Sequence, residues 1–365
     1  MGFRCGLVGL PNAGKSTVFN ALLGSGAEAR AEPYPFCTLE ANMAWVDVPD
    51  ERLDRLAGLF PEKRRVPTQI QLIDVAGLVE GASHGEGMGN QFLAEIRNVD
   101  AILHVIRCFD DPNVAHVAGA LDAERDIGVV ETELLLKDLE TCTRVLDRLK
   151  REVRAGGDRG LVRRFKAWQS VVEAVAEGRA LRQLRLPEII SDLLRDVAPL
   201  TAKPVLYVAN VGDGHGEESK VHTFAAAREA RSISVRAQIE MEVCELTEDR
   251  EERLAYLREF GLDGTGLGRL ARAGYEMLDL CTFYTFEGPE VRAWTVSNGT
   301  AAPQAGARIH GDFESKFVLA EVMSLQELEA AGAGGEKVLR DHGKIHRAGH
   351  DYVVQDGDII RFICA

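Results

Sequence analysis

Gly9, Gly14, Lys15 and Ser16 stand at the spacing G-x-x-x-x-G-K-[ST] within the stretch GLVGLPNAGKSTVFN at residues 6–20. Those residue types at that spacing suit one task, the gripping of a chain of phosphates. Glycines let successive backbone N–H groups curl around phosphate oxygens, and the start of a helix adds partial positive charge. Lys15 would bridge the outer phosphates and the Ser16 hydroxyl would hold Mg²⁺, with Asn12, Ala13, Gly14 and Thr17 completing the nucleotide-binding loop. Such a loop works only between a strand and a helix. The apolar run at residues 3–8 predicts the strand, and residues 16–23 predict the helix. The competing reading, an ordinary glycine-rich turn, accounts for neither the full spacing nor the context.

A phosphate loop alone leaves kinases, motors and switches open. Asp74 and Gly77 form a D-x-x-G after a second apolar strand, where Asp74 would hold Mg²⁺ and the Gly77 N–H would sense the γ-phosphate. Thr38, closing YPFCT at residues 34–38, sits where a first switch loop places a threonine on the metal. Gly85, Gly87 and Gly89 supply the backbone freedom a second switch needs, or merely a flexible loop. The base motif is unorthodox. Switch GTPases read guanine with N-K-x-D, whereas here the strand at 205–208 runs into Asn210, Val211, Gly212 and Asp213. Val211 removes the lysine stem that lies along the purine, while Asp213 keeps a carboxylate in register, so base choice stays open. Ser234 matches the serine of the usual base-pocket turn. The residue after Gly77 is Leu78, which cannot hydrogen-bond, where Ras-like enzymes carry a water-orienting Gln. Asn12 could ligate a monovalent cation such as K⁺, or could simply cap its turn. Cys37 lies inside the first switch loop, and a buried inert thiol is the simpler reading of it.

The 365 residues carry a formal charge of −14, which argues against indiscriminate coating of nucleic acid without excluding a local basic patch. No apolar run approaches membrane-spanning length, and no signal peptide is expected. Seven scattered cysteines without a C-x-x-C read as reduced cytoplasmic thiols. Strands are expected at 45–48, 68–73, 101–105 and 205–208, the pattern of an open α/β sheet. Between them, Leu135, Leu139, Cys142, Leu146, Leu149 and Val153 make one coiled-coil seam. Leu161, Phe165, Trp168, Val172 and Val175 make another, beyond a glycine-rich break. Two such helices must run antiparallel as an arm. Its tip is basic (Lys150, Arg151, Arg154, Arg159, Arg163, Arg164 and Lys166), a solvated surface or an RNA or acidic-partner contact. Residues 245–260 predict one charged amphipathic helix, and strands at 282–286, 291–296, 317–322, 352–354 and 359–362 predict a small α+β unit.

These motifs together resemble the YchF/Obg-like ATPase family of TRAFAC-class P-loop NTPases. The resemblance lies in GLVGLPNAGKST at 6–17, YPFCT at 34–38, DVAGLV at 74–79 and GEGMGNQFL at 85–93. VRAWT at 291–295, APQ at 302–304 and YVVQDGD at 352–358 resemble its TGS domain. The resemblance implies a P-loop NTPase domain (1–120 and 201–280), an inserted antiparallel coiled-coil arm (121–200) and a β-grasp, ubiquitin-like TGS domain (281–365). It further implies a cytoplasmic protein that hydrolyses ATP slowly and associates with ribosomes. The family's proposed catalytic histidine corresponds to His116, and the departure from the usual Gln is matched by Leu78. The family generally carries Glu where this chain has Asp213, which keeps GTP in play. Two other readings compete: a nearly static, nucleotide-bound RNA or ribosome scaffold, and a metabolite kinase, which the paired switch motifs disfavour.

Overall fold

The computed structural model describes residues 2–26, 43–75, 96–111, 113–114, 116, 119–212, 216–247, 249–332 and 335–365. In chain order the strands are β1 (Arg4–Val8), β2 (Met43–Asp47), β3 (Arg64–Val66), β4 (Gln69–Asp74), β5 (Ala101–Cys108), β6 (Val205–Val211) and β7 (Arg231–Val235). β8 (Leu280–Thr285), β9 (Glu290–Ser297), β10 (Phe317–Met323), β11 (His346–Ala348) and β12 (Ile359–Cys364) follow.

The first sheet has the order β2-β4-β1-β5-β6-β7, parallel throughout except for β2, which runs antiparallel to β4. Every residue of β5 and β6 is buried, as expected of central parallel strands covered on both faces. Alternation along β5 divides the core. Leu103 and Val105 join Val18 and Leu22 of the helix Lys15–Gly26 on one face, while Ile102 and Ile106 join Ile127 and Val130 on the other.

The helix Ala123–Arg154 starts from an Asp122 cap and seats Ala123, Ile127, Val130 and Leu134 on that second face. Its far half packs instead against the helix Arg159–Ala176, around Cys142, Leu149, Trp168, Val171 and Val175. Trp168 Nε1 donates to the Cys142 carbonyl at 2.9 Å, so the one polar atom of that fully buried ring is satisfied. The connection turns at Gly156 (φ +111°), and Asp158 caps the second helix by accepting from the Leu161 amide at 2.7 Å. The chain returns to β6 through residues 177–204, where Asp138 accepts from the amides of Leu200 and Thr201 and from the Thr201 hydroxyl.

The second sheet has the order β11-β10-β12-β8-β9-β3. β3, from the N-terminal third, pairs in parallel with β9 through Arg64↔Glu290, Arg65↔Val291 and Val66↔Arg292. The helix Glu51–Gly58 goes with it: Leu53 and Leu56 are fully buried among Tyr284, Phe286, Met323 and Ile359. Polar contacts fasten the same segment. Tyr284 Oη donates to Asp50 Oδ2 at 2.6 Å, Arg52 pairs with Asp356, and Arg55 pairs with Glu329. Residues 50–66, which sequence order places in the NTPase domain, are thus built into the sheet of the C-terminal residues.

Two local expectations are corrected. Residues 245–260 are not one helix: the helix Ala237–Leu246 ends inside that span and Arg250–Glu259 begins anew, with Asp249 capping it by a bond from the Glu252 amide. Residues 352–354 make only an isolated bridge, Val353 to Ala301, and β11 takes the sheet-edge place instead. No helix among the described residues is long and apolar enough to cross a membrane.

Candidate nucleotide site

β1 delivers the chain into the phosphate loop, and the helix Lys15–Gly26 leaves it at the lysine itself. Between them the backbone adopts left-handed conformations at Asn12 (φ +63°) and Gly14 (φ +84°). Asn tolerates that region and Gly has no Cβ to oppose it. At Gly14 a Cβ would lie 2.2 Å from Asn210 Nδ2, and at Gly9 one would lie 2.4 Å from the Val105 carbonyl oxygen. Both positions require glycine because of close neighbours, and Gly14 also because of its turn.

Lys15 is nearly buried, and its Nζ donates to the carbonyls of Gly9 at 3.2 Å and Leu10 at 3.1 Å. Burial pulls its pKa below the ordinary lysine value, and the charge of Asp74 opposes that pull. Asp74 ends β4 in register with Leu7 of β1, and Ser16 Oγ donates to its Oδ2 at 3.1 Å. The other carboxylate oxygen, Asp74 Oδ1, is buried without a hydrogen-bond partner among the described residues. A buried, unsatisfied anionic oxygen beside a hydroxyl and an ammonium is costly unless a cation completes it, so the donor set fits Mg²⁺.

Across the sheet, Asn210 at the end of β6 is buried and its Nδ2 donates to the Ala13 carbonyl at 3.1 Å, tying the base motif to the phosphate loop. Val211 follows it at the strand end. Ser234 Oγ donates to Glu218 Oε1 at 2.6 Å and accepts from His222 Nε2 at 3.0 Å. The carboxylate takes the hydroxyl's single proton, so His222 must carry its hydrogen on Nε2. His116 Nε2 lies 2.9 Å from Asp126 Oδ2, both side chains almost wholly buried, in the first turn of the helix Ala123–Arg154. Asn12, Ala13, Gly14, Lys15, Ser16, Asp74 and Asn210 therefore form one connected group, with Thr17 in the first turn behind it. His116 and Ser234 are anchored in groups of their own. Thr38, Cys37, Gly77, Leu78, Gly85, Gly87, Gly89 and Asp213 lie outside the described residues.

Two residues escaped sequence reasoning. Phe109 lies between the phosphate loop and the base motif. Its Cε1 is 3.8 Å from where a Gly14 Cβ would stand, and its Cβ is 3.0 Å from the corresponding point at Gly212. Arg107, buried on β5, covers the Phe109 ring with its guanidinium carbon 4.7 Å from the centroid. No spacing rule links either residue to Lys15.

Comparison with known proteins bears on the same residues. A family model described as "50S ribosome-binding GTPase" matches residues 4–138. The YchF-GTPase C-terminal model, described as a protein of unknown function (DUF933), matches residues 280–364. The protein named "Ribosome-binding ATPase YchF" from Haemophilus influenzae is 43% identical over 366 residues, covering 99% of each chain. The chain belongs to the YchF family. The protein of the same name from Escherichia coli O157:H7 is 42% identical over all of this chain and 99% of its own. The solved Schizosaccharomyces pombe YchF GTPase superposes with a TM-score of 0.85 at 32% identity, covering 99% of this chain and 97% of its own. A GTP binding protein from Pyrococcus horikoshii, at 17% identity and a TM-score of 0.59, covers 99% of this chain and all of its own, and shares the fold. The YchF-family assignment accounts for a phosphate-loop α/β sheet joined to a second sheet at the C-terminus.

Proposed function

We propose that this chain is a cytoplasmic, nucleotide-dependent switch ATPase that hydrolyses ATP slowly and associates with ribosomes. The observation that carries the reading is Asp74 Oδ1, a buried carboxylate oxygen without a partner among the described residues, beside Ser16 and Lys15 on a loop bent at Asn12 and Gly14. Full-length relatives named ribosome-binding ATPases support the class of reaction and the partner.

In this reading the amides of residues 13–17 and Lys15 hold the phosphates, and Ser16, Thr38 and Asp74 hold Mg²⁺. When bound, Mg²⁺ supplies positive charge to the phosphate oxygens. Gly77 reports the γ-phosphate, and Asn12 is the candidate ligand for K⁺. His116 orients the attacking water in place of the missing Gln, with Asp126 fixing its ring. Asn210, Val211, Asp213 and Ser234 surround the purine, and the Phe109 ring provides the flat wall that Val211 cannot.

The arm, an antiparallel coiled coil over 121–200, and the C-terminal domain, a β-grasp TGS domain over 281–365, meet ribosomal RNA. Lys150, Arg151, Arg154, Arg159, Arg163 and Lys166 are exposed at the arm tip. Residues 50–66 carry the signal between them and the nucleotide. They lie between Thr38 and Asp74 in the chain, and they are part of the C-terminal sheet.

GTP is the second reading, favoured by Asp213, whose carboxylate can accept from guanine N1 and N2. Competitive binding of ATP and GTP, repeated with Asp213→Glu and with K⁺ exchanged for Na⁺, separates the two. Turnover with and without ribosomes tests the switch: stimulation is expected, and absence of turnover under every condition would leave a static scaffold.

A further inference from the structure

We infer that Arg107 is the positioning residue of the purine site, holding Phe109 and the start of the following loop in place for the base. The inference rests on the reading of Phe109 as the purine wall.

An arginine is an unexpected occupant of β5. It is 3% exposed, its neighbours Ile106 and Cys108 are buried, and among the described residues no carboxylate forms an ion pair with it. Burying a guanidinium without a counter-charge costs several kcal/mol that an apolar residue of similar volume would not incur. What the residue does with its nitrogens offsets that cost. Nε donates to the Phe109 carbonyl at 3.1 Å and Nη2 to the Asp111 carbonyl at 3.4 Å, so one planar fork holds two points of the loop. The guanidinium also lies over the Phe109 ring. Nη1 is buried and has no hydrogen-bond partner among the described residues.

Strand register ties this clamp to the nucleotide. Arg107 is the direct partner of Asn210 on β6, and partners in a parallel pair project to the same face. The Asn210 side chain on that face bonds to Ala13, and the Phe109 ring stands beside the same loop, its Cε1 3.8 Å from where a Gly14 Cβ would lie. The base motif has Val211 where a lysine would supply both a stem along the purine and a cation. Here the neighbouring strand supplies them separately, Phe109 as the flat surface and Arg107 as the charge behind it. Lysine cannot replace Arg107, because an ammonium has no planar fork to reach both carbonyls and stacks poorly on a ring.

The test uses the full-length chain, with ATP and inorganic tripolyphosphate each titrated with Mg²⁺ by calorimetry. Tripolyphosphate engages the phosphate loop and has no base. Arg107→Lys is expected to weaken ATP about tenfold while leaving tripolyphosphate within about twofold, with kcat at saturating ATP nearly unchanged. Phe109→Leu should show the same pattern. If Phe109→Leu leaves ATP binding intact, the purine-wall reading fails. If Phe109→Leu weakens ATP and a folded Arg107→Lys does not, the positioning role alone fails. Equal loss of ATP and tripolyphosphate in Arg107→Lys would overturn it in favour of general support of the phosphate loop. So would failure of both Arg107→Lys and Arg107→Gln to fold.

Discussion

Replacing Gly14 with alanine should show how tightly two distant parts of the chain are wedged together. The substitution introduces two costs. A left-handed conformation at φ +84° costs a residue with a Cβ about 1–2 kcal/mol. The new methyl would also stand 2.2 Å from Asn210 Nδ2, so the Asn210 amide must move and its bond to the Ala13 carbonyl is lost. Losing that bond and leaving its buried donor unsatisfied costs about 1–2 kcal/mol. The expected loss is thus about 2–4 kcal/mol. Where it falls on the binding-competent conformation it corresponds to roughly 30- to 700-fold in nucleotide affinity. The structure provides its own controls. Gly156 has φ +111° with open space around its Cβ position, so Gly156→Ala feels the backbone cost alone. In an Asn210→Ala background the obstacle at Gly14 is gone, and Gly14→Ala should cost only the conformational part, leaving a coupling energy of about 1–2 kcal/mol. Denaturant unfolding and ATP calorimetry on the four variants of the cycle measure it. Equal costs in both backgrounds, or a Gly14→Ala penalty no larger than that of Gly156→Ala, would refute the wedge.

Other outcomes follow from the same geometry. Lys15→Ala should remove at least about 3 kcal/mol of ATP binding, roughly 100-fold, and unchanged affinity by calorimetry would contradict the assignment of that lysine. Tyr284→Phe leaves Asp50 Oδ2 without its 2.6 Å donor and should cost about 1–2 kcal/mol. An unaltered melting temperature would show that this contact does not fasten residues 50–66 to the C-terminal sheet. His104 is fully buried on β5 beside Tyr207, and burial holds its imidazole down at about 4 against an ordinary 6.5, with Glu131 opposing and Arg182 and Lys15 adding to the shift. Its folded pKa lies below the unfolded one, so its contribution is present above pH 6.5 and is lost as pH falls toward 4, up to about 3 kcal/mol in all. A His104→Gln variant should show a flatter fall of melting temperature between pH 7 and 4.5, and parallel curves would remove His104 as the cause.

The local chemistry of this protein was legible along the chain. Gly9, Gly14, Lys15 and Ser16 specify a phosphate loop because the conformations it needs and the groups it presents all fall within eight residues. The apolar faces of the two long helices follow from sequence for the same reason: helical period is a property of neighbours, and Trp168, Cys142 and Leu149 are buried together. The cap at Asp249 is local as well, its carboxylate accepting from the amide three residues on. Contacts between residues far apart in sequence leave no such pattern. Asn210 reaches Ala13 across nearly two hundred residues, and β3 joins β9 across more than two hundred. Phe109 and Arg107 come beside the phosphate loop only because strand order places β5 between β1 and β6. Periodicity and turn chemistry report which face of an element is apolar; which element that face meets is decided by packing, and packing built the nucleotide site and fastened residues 50–66 to the far end of the chain.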